Sequence, residues 1–169
     1  MRKLIGLMGK KRSGKDTAAE VFVGEGFIKF AYGDKLKEVV RFMYPALTYG
    51  QLYGEQKEDM TEYGYSARHL MQEIGENFRD IDPLIWMRPL DRLYRSTQVN
   101  IVVTDVRHDN EMEQIWRLHG EIWEVKRPAL NSLDTHKSEN GIHLSPDVVV
   151  RNVDTKEGFQ AEVRRVWNS

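Results

Sequence analysis

GKKRSGKDT, residues 9–17, is the stretch that decides the fold. It follows directly on an apolar run, KLIGLMG at 3–9, and opens a helical pattern, KDTAAEVFVGE. Gly9, four intervening residues, then Gly14 and Lys15 form the spacing of a loop that wraps a polyphosphate. The backbone N–H groups of such a loop surround the anion, and the positive end of the following helix points at it. Lys15 stands where it can bridge β and γ phosphates and follow them through transfer. Glycine and lysine also occur together in plain strand-to-helix turns. Here the preceding strand, the following helix and the order Ser13, Gly14, Lys15 favour phosphate binding. After the lysine such loops usually carry Ser or Thr, whose hydroxyl reaches a magnesium ion. This chain carries Asp16, with Thr17 one place later. The Asp16 carboxylate can hold magnesium directly or through water. Thr17 can then reach an α-phosphate or take the metal itself. Asp16 can equally be a first-turn acid stabilised by the helix dipole. The residues alone leave both readings open.

Working outward, strand-like and helix-like segments alternate to the end of the chain. A short strand, FIKFAY (27–32), precedes a helical DKLKEVVRFM (34–43). NIVVTDV (100–106) precedes DNEMEQIWRLH (109–119), a helix expected to stop at Gly120. EIWEVK (121–126) and DVVVRNV (147–153) are further strands, and EGFQAEVRRVW (157–167) is a final helix. The unbroken apolar Ile101–Val102–Val103 suits a parallel strand covered on both faces. This alternation predicts an α/β fold in three layers, an about five-stranded parallel sheet with helices on both faces. In such sheets ligands bind beyond the carboxyl ends of the strands. The glycine loop, TDVRHDNE (104–111) and the polar stretch from Lys126 all fall there. Residues 44–99 and 127–146 exceed the length of simple crossovers, as binding loops commonly do.

The composition narrows the function. A chain of 169 residues suits one domain with its own core. A net charge of −1 gives no ground for binding polymeric nucleic acid. The absence of cysteine removes thiolate zinc sites and cysteine nucleophiles, and fits a reducing compartment. No apolar run reaches the length of a membrane span or signal peptide, so a cytoplasmic protein without membrane attachment is expected.

TDVRHDNE ends an apolar strand in Asp105, the position from which an acid organises magnesium opposite a phosphate loop. Arg107 is then placed to reach a transferring phosphoryl group. The competing reading is a helix start capped by Asp109 or Asn110. Lys37, Arg68, Arg79, Arg88 and Arg127 can clamp phosphorylated ligands, although most such side chains are solvated. The tyrosines between 44 and 65, and Trp86, suit loop and core packing. His136 and His143 lack metal-site spacing.

With these residues in hand, the chain resembles the deoxynucleoside monophosphate kinase family. The loop is similar to that family's G-x-x-x-S-G-K-D-T, in which the aspartate is regular. FAYGDKLKEVV (30–40), YGEQKE (53–58), LMQEIGENFRDIDPLIWMR (70–88), TDVRHDNEMEQI (104–115), VKRP (125–128), HKSE (136–139) and DVVVRN (147–152) resemble its later blocks in order. His108 and Asp109 depart from D-V-R-F-P-N-E. The resemblance implies a P-loop kinase fold over residues 1–169, with an acceptor-binding insert at 34–95 and a lid-like segment at 127–146. It implies transfer from ATP to a deoxynucleoside monophosphate, with Mg2+ held by Asp16, Thr17 and Asp105. Gly9, Lys11, Arg12, Ser13, Gly14, Lys15, Asp16 and Thr17 would bind ATP. Lys15, Arg107 and Arg127 would carry catalysis. Lys37, Arg68, Arg79, Trp86, Arg88 and Arg107 would bind the acceptor, with His136, Ser138 and Glu139 approaching from the lid side. A homodimer follows by family analogy alone, and a host-cell cytoplasmic location if the chain is phage-encoded. Two alternatives stand beside this reading: a kinase of another small acceptor, of the dephospho-coenzyme A type, and a nucleotide-binding switch without transfer.

Overall fold

Strand β1 (Leu4–Met8) lies at the centre of a parallel sheet, and every one of its residues is buried. The other strands are β2 (Ile28–Phe30), β3 (Ile101–Val103), β4 (Glu121–Lys126) and β5 (Val148–Arg151), in the order β2-β3-β1-β4-β5. The computed structural model describes residues 2–128, 142–153 and 155–169. Around the sheet stand α1 (Lys15–Gly24), α6 (Asp109–Arg117) and α7 (Lys156–Trp167). The chain between β2 and β3 forms α2 (Tyr32–Met43), α3 (Tyr49–Leu52), α4 (Ala67–Ile81) and α5 (Arg88–Ser96). Two compact units result: Met1–Ala31 with Tyr94–Ser169, and Tyr32–Leu93.

In the first unit the alternation of strand side chains divides the core. Ile5 and Leu7 of β1, Val102, Trp123, Val125 and Val150 meet Ala18, Ala19, Val21 and Phe22 of α1, and Phe159 and Val163 of α7. Leu4 and Gly6 face the other way, where α6 covers the sheet. A Cβ on Gly6 would stand 2.5 Å from Ile115 Cδ1. The helices therefore cover both faces, as the apolar run at Ile101–Val103 predicts. Phe22 meets Trp123 edge to face at 5.3 Å and Trp167 at 5.5 Å between ring centroids. Trp123 is among the largest fully enclosed side chains. Trp123→Ala should lower unfolding stability by about 3–5 kcal/mol. A urea titration showing a midpoint close to wild type would contradict this packing.

Three boundaries differ from the sequence reading. The strand expected over 27–32 ends at Phe30, and Tyr32 opens α2. The strand expected to run to Val106 stops at Val103. The Thr104 N–H still donates to Phe30 O (3.0 Å) and Val106 N–H to Leu7 O (3.1 Å), which holds Asp105 in line with the sheet beyond the ladder. The helix expected to end at Gly120 ends at Arg117, and the left-handed residue is His119, at φ 58°. Gly120 serves a different need, since a Cβ there would come within 2.7 Å of the Leu4 carbonyl oxygen.

The second unit has its own core of Val40, Leu47, Leu52, Ala67 and Leu70, with Tyr44, Tyr53 and Tyr63 packed against it. Helix α4 starts where the Ser66 hydroxyl accepts from His69 N–H, an N-cap bond. Trp86 is buried, stacks on Phe78 and donates its indole N–H to the Gly75 carbonyl at 3.1 Å.

Candidate active site

The chain leaves β1 through a glycine that no other residue can replace without strain. Gly9 has φ 138°, and a Cβ would stand 2.4 Å from the Val125 carbonyl oxygen. Ser13 N–H donates to Lys10 O at 3.1 Å, closing the turn, while Arg12 adopts a left-handed φ of 64°. Gly14, at φ 111°, precedes the first turn of α1 and supplies no side-chain cap to it. A helix end of this kind suits an anion. The Ser13 hydroxyl is buried to 1% exposure and has no hydrogen-bond partner among the described residues. A buried hydroxyl in that condition is costly unless a ligand completes it.

The Lys15 ammonium folds back over the loop and donates to the carbonyls of Gly9 (2.5 Å) and Lys10 (2.7 Å). Beside it lies a cavity of about 320 Å3 lined by Arg12, Gly14, Lys15, Asp16, Thr17, Arg127, Asn152, Lys156 and Phe159. Four of these are cations and one is an acid, so the cavity carries net positive charge. Asp16 is 90% exposed and 3.5 Å from the Lys29 ammonium of β2. Lys156 pairs with Glu20 at 2.8 Å, a hydrogen bond that raises its pKa. Asn152 donates from Nδ2 to the Ser13 carbonyl at 2.9 Å.

Beyond β3 the chain turns into α6. The Glu111 carboxylate, 2% exposed, accepts from the N–H groups of Arg107 (2.7 Å) and His108 (3.2 Å). His108 therefore occupies the N-cap, the position for which the sequence offered Asp109 or Asn110. Asp109 instead accepts from the N–H groups of His143 (2.8 Å) and Leu144 (3.3 Å), tying a remote segment to the helix start. Arg107 is exposed and Asp105 half-buried.

The structure thus gathers Arg12, Lys15, Asp16, Thr17 and Arg127 around one cavity. Lys11 is exposed and outside its lining. In the Tyr32–Leu93 unit, Lys37 pairs with Asp34 at 2.8 Å and lies over the Tyr53 ring at 4.6 Å. Arg68 pairs with Glu58, and Arg88 with Asp82 at 2.8 Å. The bond to Arg88 holds the Asp82 carboxyl below its usual range. Arg79 is half-buried on α4. His136, Ser138 and Glu139, and most of the segment expected as a lid at 127–146, lie outside the described residues. The sequence reading did not single out Asn152, Lys156, Phe159 or Glu111. Only the DVVVRN block pointed near the first three.

Among the described residues no cluster of three or more His, Cys, Asp or Glu side chains could hold a metal by itself. The donors near the loop are instead isolated oxygens, which suits magnesium, an ion bound by one or two carboxylates together with substrate phosphates. No helix among the described residues is long and apolar enough to cross a membrane.

A glycine loop between the first strand and helix of a five-stranded parallel sheet, opening on a cationic cavity, defines a P-loop kinase. A dephospho-coenzyme A kinase from Campylobacter jejuni shares this fold, with a TM-score of 0.53 at 16% identity over 99% of this chain and 96% of that one. The chain belongs to the deoxynucleotide monophosphate kinase family, whose model matches residues 54–163. A protein of Acanthamoeba polyphaga mimivirus that bears the family's name is 32% identical, over 95% of this chain and 93% of its own. The deoxynucleotide monophosphate kinase of Enterobacteria phage T4 is 24% identical, over 96% and 97%. The glycine loop lies before the span that the family model matches.

Proposed function

We propose that this protein transfers the γ-phosphoryl group of ATP to a deoxynucleoside monophosphate, yielding ADP and the deoxynucleoside diphosphate. The observation that carries the transfer is the loop at 9–14, with its enclosed, unpartnered Ser13 hydroxyl, opening on a cavity lined by Arg12, Lys15 and Arg127. Family membership supports the acceptor.

An oxygen of the acceptor phosphate attacks the γ phosphorus, and the bond to the bridging oxygen breaks. ADP departs with that electron pair. The attacking oxygen is already anionic, so no general base is required, and catalysis consists of positioning and charge neutralisation. In this reading the loop amides and the α1 N-terminus hold the donor phosphates. Lys15, Arg107 and Arg127 balance the charge spread over the γ-phosphoryl oxygens. Asp16, Thr17 and Asp105 would hold a magnesium ion, which neutralises the donor phosphates when bound. Lys37, Arg68, Arg79 and Arg88 would bind the acceptor, with Trp86 acting through its packing on α4.

Coupled detection of diphosphate formation across deoxy- and ribonucleoside monophosphates, with dephospho-coenzyme A as control, tests the reading. Turnover of at least one deoxynucleoside monophosphate is expected. Activity on the control alone would replace the acceptor, and saturable ATP binding without any turnover would leave only a nucleotide-binding switch.

A further inference from the structure

Asn152 is the first residue beyond β5, yet its side-chain amide reaches the phosphate loop, 139 residues earlier. Its own N–H donates to Lys126 O at 2.7 Å, adding one rung beyond the β4–β5 ladder and fixing where its side chain starts. From there Nδ2 donates to the Ser13 carbonyl at 2.9 Å. The same nitrogen would stand 2.5 Å from a Cβ on Gly14, so the loop and the amide are in direct contact.

The Ser13 carbonyl belongs to the peptide whose other end is the Gly14 N–H. In a planar trans peptide these two groups point in opposite directions. Glycine at φ 111° leaves that plane free to rotate unless a neighbour holds it. A rotated plane would turn an oxygen where a phosphate-binding loop needs a donor. We infer that Asn152 is a positioning residue for nucleotide binding: its amide holds the Ser13–Gly14 peptide with the Gly14 N–H directed to the phosphates. Through Lys126 it also fixes the exit of β4, from which Arg127 reaches the same cavity. This inference rests on the kinase reading. It adds a requirement which neither the glycine spacing nor the lysine reveals.

The test is calorimetric titration of wild type, Asn152→Ala and Asn152→Asp with ADP, and separately with the deoxynucleoside monophosphate of highest turnover. Asn152→Ala should weaken ADP binding about tenfold, as loss of one such hydrogen bond predicts, and leave monophosphate binding within about twofold. Asn152→Asp keeps the shape and the backbone rung but loses the donor, and should weaken ADP binding further. ADP binding by Asn152→Ala within about twofold of wild type would overturn the inference. So would equal losses for ADP and monophosphate, because a residue that merely supports the fold lowers both together. Wild-type protein that fails to bind ADP would remove the kinase reading itself, a result distinguishable from both.

Discussion

Lys15→Ala should abolish phosphoryl transfer, lowering kcat by about a thousandfold or more, while the protein stays folded. Lys15 is the first residue of α1, and its aliphatic stem is not part of the sheet core. Its ammonium rests on the Gly9 and Lys10 carbonyls. Removing it therefore costs the partly exposed hydrogen bonds to these carbonyls and no packing of the sheet core. In the ligand-free protein that loss falls near the lower end of mutational effects, about 1 kcal/mol. In the proposed reaction the same ammonium would offset charge moving from the γ-phosphoryl group to the β-phosphate, where no water molecule of similar strength can replace it. The check is paired: initial rates at saturating ATP and acceptor, and a thermal melt. Near-normal turnover would remove Lys15 from catalysis. Lost turnover with lost cooperativity in the melt would assign the residue to folding instead.

Gly9→Ala should be the more damaging change to the molecule as a whole. The new methyl group would meet the Val125 carbonyl oxygen at 2.4 Å, and backbone in the middle of a sheet has no rotamer into which it can retreat. The residue would also have to hold φ 138°, a region that side chains rarely enter. Strain and overpacking together should cost about 2–5 kcal/mol and displace the loop from β4, so ADP binding is lost with stability. Gly24→Ala is the control. Among the described residues nothing lies within 4 Å of its Cβ position, it is the last residue of α1, and the change should be neutral or stabilising by up to about 1 kcal/mol. Equal melting temperatures for Gly9→Ala and wild type would mean that the loop tolerates a shape the structure excludes.

The parts of this fold legible in the sequence are those encoded by neighbours. The G-x-x-x-x-G-K spacing between an apolar run and a helix announces both the loop and its place in a parallel sheet. The continuous Ile101–Val102–Val103 announces a strand covered twice. Element ends were less legible because they depend on distant partners. The β3 ladder stops at Val103 although the sequence stays compatible with a strand to Val106, because only isolated bonds to Phe30 and Leu7 continue it. Local rules also pass over His119, which takes a left-handed φ one residue before the glycine at which the helix is expected to stop. The candidate site follows the same division. Gly14 and Lys15 declare themselves, whereas Asn152 becomes part of the loop only after the sheet brings β5 beside β4. The role of Asp109 is invisible for the same reason, since the amides it holds lie 34 and 35 residues away.

The basic side chains of the Tyr32–Leu93 unit are not a bare positive surface. Lys37, Arg68 and Arg88 each already hold a carboxylate, from Asp34, Glu58 and Asp82. A ligand arriving at any of these pairs must displace an acid or share its cation, so the pairs set a threshold of charge. A dianionic phosphate exceeds what a single carboxylate offers, with more oxygens and more charge. A nucleoside without its phosphate offers neither and finds these cations already neutralised. Under the proposed acceptor role these pairs would discriminate by charge before any base or sugar is read, and rejection of unphosphorylated nucleosides would need no dedicated steric barrier at these positions.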